Sequence, residues 1–93
     1  MEKVRIDNQD FEGVEIPTPT ANILMIKGQK GFLGCGYFDI ETANKLNEPV
    51  AIVTGVKTYD DMLEAKVIKV SQSAQELGVK LDLTGKEALL LLN

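Results

Sequence analysis

The chain holds one thiol, Cys35, set between Gly34 and Gly36, and no histidine. A cysteine nucleophile works as the thiolate, which an adjacent base, cation or helix N-terminus must stabilise. Without an imidazole, Ser-His-Asp and Cys-His catalysis are excluded, as are histidine metal ligands and histidine pH sensing. Cys35 would therefore depend on lysine, a helix N-terminus or backbone donors. Its plainer role is that of a small core residue, because free cysteine is among the most buried residue types. The expectation is a mostly buried thiol that reacts slowly, with Cys35 kept as the one catalytic candidate. A single cysteine also excludes an internal disulfide and a multi-thiolate zinc site.

A second place for chemistry is Thr54-Gly55-Val56-Lys57-Thr58. It runs from an apolar stretch into the start of a helix, where free backbone N–H groups favour an anion. Lys57 adds a charge and Thr58 a hydroxyl. The spacing is not that of a P-loop, and the plainer reading is a glycine turn before an N-cap threonine. Gly55, Lys57 and Thr58 are the candidate residues for a small anionic ligand.

Gly34 and Gly36 are further binding candidates. If Gly31–Phe38 is a strand, both glycines share the face of Phe32 and Phe38, opposite Leu33, Cys35 and Tyr37. A bare strip on a strand invites a helix, a ligand or another subunit to approach closely. Asp60, Asp61 and Glu64 raise the question of a divalent ion, and Asp60 and Glu64 share a helix face. Acids in a first turn follow from the helix dipole alone, and two carboxylates on one helix are an incomplete ligand set. No metal site and no cofactor are expected.

The elements that must position these residues can be read along the chain. Val4 and Ile6 alternate with Arg5 and Asp7, and Val14 and Ile16 with Gly13 and Glu15, giving two short strands about a polar turn at Asn8–Asp10. Pro17 and Pro19 end the second strand. Asn22–Ile26 is apolar without alternation and reads as a strand covered on both faces. It forms a hairpin with Gly31–Phe38 through Lys27–Lys30. Asp39 caps a helix over Ile40–Leu46, with Ile40, Ala43 and Leu46 on one side. Asn47 closes it in the left-handed conformation, and Pro49 blocks continuation. Val50–Val53 is a buried strand. From Thr58 the apolar residues recur at near-helical spacing to Gly78, which predicts one long helix or two with a bend near Ala65. Val79–Leu83 alternates weakly, as an edge strand or an extended connector. Thr84-Gly-Lys-Glu87 is a capping box ahead of Ala88–Leu92.

Strands lead and helices follow. This predicts an α+β fold, a small mostly antiparallel sheet of four to five strands covered by three or four helices. Ninety-three residues make one domain, with residues 1–19 as N-terminal strands or arm. The chain carries fourteen acids against ten bases, only one of them arginine, and its lysines are scattered. That is the opposite of a nucleic-acid footprint, so no nucleic-acid partner is expected. No apolar run approaches the roughly 20 residues of a membrane span, and no signal peptide is visible. A cytoplasmic protein with a reduced thiol is expected. The terminal Leu89–Leu92 has no polar side, and a helix so short needs tertiary packing. A homo-oligomer contact through it is the favoured expectation.

Four segments together resemble a known family: Gly31–Leu46, Val50–Leu63, Val70–Gly78 and Thr84–Leu89. The set is similar to the DUF1805 (YunC-like) family of small prokaryotic proteins of unknown function, over residues 20–92. The resemblance implies a compact α+β domain and no particular reaction. Read together, the residues describe a non-catalytic binding or assembly module. The alternative is a small enzyme using Cys35 with an anion-binding turn at Thr54–Thr58.

Overall fold

The computed structural model describes residues 1–93. Asp7 and Asn8 both have positive φ, 49° and 67°, as the central residues of a tight hairpin matched to strand twist require. They join β1 (Glu2–Ile6) to β2 (Gln9–Pro17). Next come β3 (Asn22–Lys27), β4 (Phe32–Gly34), α1 (Ile40–Leu46), β5 (Val50–Ile52) and α2 (Tyr59–Glu64). The chain finishes with β6 (Lys69–Val70), α3 (Gln72–Glu76) and α4 (Gly85–Leu91). The class is α+β. The strands form one sheet of six, in the order β1-β2-β3-β4-β5-β6. Only the β4–β5 pair is parallel, and α1 makes the crossover between them.

The register sorts the side chains onto two faces. Gly13, Ile26, Leu33 and Ala51 lie opposite one another across β2 to β5. This face, with Phe11 and Leu24, is buried against Met62, Val67, Ala74, Val79, Ala88, Leu89 and Leu92. On the other face, Val50 and Ile52 pack with Ala43 of α1, flanked by Phe32, Phe38 and Ile40. Two glycines allow elements to touch. A Cβ on Gly85 would run into the Met62 carbonyl oxygen, so α4 crosses directly over the end of α2. A Cβ on Gly13 would lie 2.7 Å from Tyr59 Cζ. Burial there, followed by the charges of Glu2 and Glu15, raises the Tyr59 phenol above its ordinary value.

Several sequence expectations are corrected. The sheet has six strands, not four to five, because the region read as one or two continuous helices contains a strand. After α2, Ala65 turns to extended backbone at ψ 151°. The Ile68 amide then donates to Ile52 O and the Ser71 amide to Val50 O. Ser71 starts a new helix: its buried hydroxyl accepts from the Val50 and Ala74 amides and donates to Glu48 O. Ile68 and Val70, both β-branched, satisfy the free edge of β5, while Val67 pairs with Leu83 and Asp82, and that tertiary demand overrides helical spacing. Of the two readings of Val79–Leu83, edge strand or connector, the connector holds. Asp82 takes positive φ there, and Lys66 and Thr84 form an isolated bridge beside it. Asn22–Ile26 is covered fully on one face only: Leu24 and Ile26 are buried, while Ile23 and Met25 are half-exposed. Leu46 is 71% exposed rather than part of the α1 core face.

The C-terminal leucines complete the chain's own core. Leu89 and Leu92 are fully buried, Leu90 is half-buried and Leu91 faces outward. The Lys30 and Gly31 amides donate to Leu92 O at 2.8 and 3.2 Å, and the Gln29 amide to Asn93 Oδ1 at 3.1 Å. No helix is long and apolar enough to cross a membrane.

Candidate functional site

Three turns at one end of the sheet enclose an open cleft of about 660 Å³, within the size range of small-ligand sites. The first is the β2–β3 turn. Pro17 ends the strand, and Thr18 closes the turn: its amide and hydroxyl both donate to Ala21 O, and its oxygen accepts from the Ala21 amide. The second follows β4, where the Phe38 amide donates to Cys35 O at 3.2 Å. The third follows β5, whose path is fixed by Val53 N–H donating to Gly34 O at 3.0 Å. Positive φ at Gly55, 72°, then reverses the chain, a conformation that a side chain disfavours.

Cys35 lies one residue beyond β4 and still extends the ladder. Its amide donates to Leu24 O at 3.1 Å, and its Sγ accepts from the Leu24 amide at 3.3 Å. The residue is 5% exposed and contributes to the cleft floor. Beside it stand Gly36 and Tyr37, with Tyr37 56% exposed. The neighbouring turn after β5 adds Thr54, whose methyl lies against Gly36, with Gly55, Val56 and Lys57, and the β2–β3 turn supplies Thr18, Thr20, Ala21 and Asn22.

The donors in this lining outnumber their intramolecular acceptors. The amides of Gly36, Tyr37, Thr54, Gly55 and Val56 donate to nothing within the chain. The chain's salt bridges are Lys3–Asp10, Arg5–Asp10, Lys27–Glu12 and Lys86–Asp7, so the Lys57 ammonium is unpaired. No carboxylate lines the cleft, although the chain carries fourteen. Two acids at its margins are engaged with lining residues. Glu15 accepts from Asn22 Nδ2 at 2.6 Å, and Asp61 Oδ2 accepts from the Lys57 amide at 3.0 Å.

The structure thus brings Cys35, Gly36, Gly55 and Lys57 together and separates Gly34 and Thr58 from them. Thr58 is the N-cap of α2, with its Oγ1 accepting from the Asp61 amide at 3.0 Å. It serves the helix and does not line the cleft. Gly34 is covered by aromatic rings: a Cβ there would lie 2.6 Å from Phe38 Cδ2 and 3.1 Å from Phe32 Cε1. Those rings meet edge to face at 5.3 Å. The expected glycine strip does not exist, because the strand stops at Gly34 and Gly36 belongs to the following turn. Sequence reasoning missed Thr18, Thr20, Asn22 and Tyr37. The proline-flanked Thr18 was a turn signal, but nothing in the sequence places that turn beside residues 35–37 and 54–57.

A family model described as "Domain of unknown function (DUF1805)" matches residues 34–92. The uncharacterized protein YunC of Bacillus subtilis (strain 168) is 32% identical, with 94% of this chain and 90% of that protein aligned. The crystal structure of TA1206, a protein of unknown function from Thermoplasma acidophilum, superposes with a TM-score of 0.93 at 36% identity. It covers 99% of this chain and 90% of the other. The chain belongs to the DUF1805 family, as the four sequence segments implied, and none of these descriptions names an activity.

Proposed function

We propose that this DUF1805 protein is a non-catalytic binding module whose cleft takes a small ligand bearing an anionic group. The observation that carries this reading is the donor-rich lining: free amides on two neighbouring turns, one unpaired lysine and no carboxylate. In a chain with excess negative charge, a cleft cleared of carboxylates selects by sign, since like charges there would cost binding free energy. Gly36 and Gly55 keep the walls low, and Tyr37 offers an exposed ring beside the donors.

Cys35 in the same cleft supports the rival reading, a thiol enzyme. That reading needs a base to activate the sulfur. Among the lining side chains only Cys35, Tyr37 and Lys57 titrate, and the hydrogen bond made to Sγ comes from a backbone amide of the core. The reduced thiol fits the proposed cytoplasmic location.

Calorimetric titration with inorganic phosphate, sulfate and simple carboxylates tests the reading. Saturable binding of at least one anion, weakened several-fold in Lys57→Gln, is expected. Failure of every anion to bind, or equal affinity in the variant, would refute it.

A further inference from the structure

The cleft offers more room and a more varied lining than a bare anion fills. Its volume of about 660 Å³ exceeds a phosphate group many times over, and Ala21, Val56 and the Tyr37 ring add apolar surface to the donors. Tyr37 differs from the other four of the chain's five aromatic residues. Phe11 is buried, Phe32 and Phe38 meet edge to face, and Tyr59 lies over Gly13. Tyr37 is 56% exposed, so more than half of it faces water. The sheet order sets the turn that carries it, after β4, between the β2–β3 turn and the turn after β5. Its own amide is one of the free donors, so a ring and a piece of the anion-binding backbone belong to one residue.

Resting on the anion-binding reading, we propose that the cleft takes a phosphate monoester of a small aromatic compound. The phosphate meets the free amides and Lys57, and the planar ring stacks on Tyr37. The donor set favours phosphate over carboxylate. The free amides of Gly36, Tyr37, Thr54, Gly55 and Val56, with the Lys57 ammonium, outnumber the roughly four lone-pair sites of a carboxylate. A phosphate monoester presents more acceptor oxygen and a charge of roughly −2 near neutral pH. The successive amides of Thr54, Gly55 and Val56 run through the positive φ of Gly55, 72°, and such turns of consecutive N–H groups suit phosphate. The ring follows from the rest of the lining. An aliphatic ester leaves the face of Tyr37 wet, whereas a planar ring offset-stacked on it removes apolar surface from water on both partners. Tyrosine has few side-chain angles to fix, so the contact costs little conformational entropy. Charge and ring are thus recognised by different side chains, Lys57 and Tyr37, and their effects separate by substitution.

Calorimetric titration of the full chain with inorganic phosphate, phenyl phosphate and cyclohexyl phosphate tests this. The two esters carry the same charge and rings of equal size, and only the phenyl ring is planar and aromatic. Phenyl phosphate is expected to bind about fivefold tighter than cyclohexyl phosphate, the worth of one aromatic pair. Tyr37→Ala should remove that preference and Tyr37→Phe should keep it. Lys57→Gln should weaken both esters and leave their ratio unchanged. Circular dichroism confirms that each variant is folded. Equal affinity of the parent chain for the two esters overturns the proposal, while binding of inorganic phosphate in that case leaves the anion-binding reading standing. A phenyl preference that survives in folded Tyr37→Ala overturns it as well. Failure of all three compounds to bind also overturns it, and titration with sulfate and carboxylates then decides whether the anion-binding reading falls with it.

Discussion

Cys35 shows how one residue can sit in a site and still belong to the core. Its sulfur accepts a core amide and only 5% of the residue is exposed, so a thiol reagent needs an opening of the β3–β4 end to reach it. Native-state labelling is expected to be much slower than that of a free model thiol, and to reach the free rate when denaturant unfolds the chain. Native labelling at the free rate would show an open, available sulfur. Gly34 and Gly36 separate in the same way. Gly34→Ala forces a methyl into Phe38 and should cost about 1–3 kcal/mol by overpacking. At Gly36 the nearest atom to a new Cβ is Thr54 Cγ2 at 3.3 Å, so Gly36→Ala should change stability by less than about 0.5 kcal/mol. Urea midpoints of the two variants check the contrast, and equal losses would contradict it.

Among the elements, what the sequence declares locally is what holds. Asp39, Thr58 and Thr84 are N-caps as their types and positions indicated, Asn47 closes α1 at φ 55°, and the Thr84–Glu87 capping box is complete. Each is a matter of three or four neighbouring residues. The strand at Lys69–Val70 was not legible, because its cause lies in its pairing partners Ala51 and Ile52 of β5, far back along the chain. The cleft was half legible for the same reason: Gly55 and Lys57 carry local signals, but their meeting with Thr18 and Tyr37 is set by strand order. The caps also make a pH prediction. Hydrogen bonds from Thr84 hold Glu87, and those from Thr42 and Glu41 hold Asp39, below the ordinary carboxylate values. A depressed folded-state value means stabilisation that is present above the ordinary values of 4.5 and 3.8 and lost as pH falls through the folded values. Glu87→Gln should therefore lower the urea midpoint near neutral pH and converge with the parent chain as pH falls through the folded Glu87 value. A gap of constant size across that range would show that charge at the cap contributes nothing.

For the whole molecule, the sheet has two uses. One face and the far half of the other bury the core, while three turns at one strand end converge on a cleft whose donors are unspent. The fold is shared with TA1206 over nearly the whole chain, so the cleft can be sought in that structure too. The central claim is that those donors bind an anion. The most direct measurement is an amide-resolved NMR titration of the full chain with inorganic phosphate. The account predicts saturable shifts concentrated on Gly36, Tyr37 and Thr54–Lys57, with smaller ones at Thr18–Asn22, and their marked weakening in Lys57→Gln. Shifts that never saturate, or that scatter over the lysines elsewhere on the surface, would contradict it.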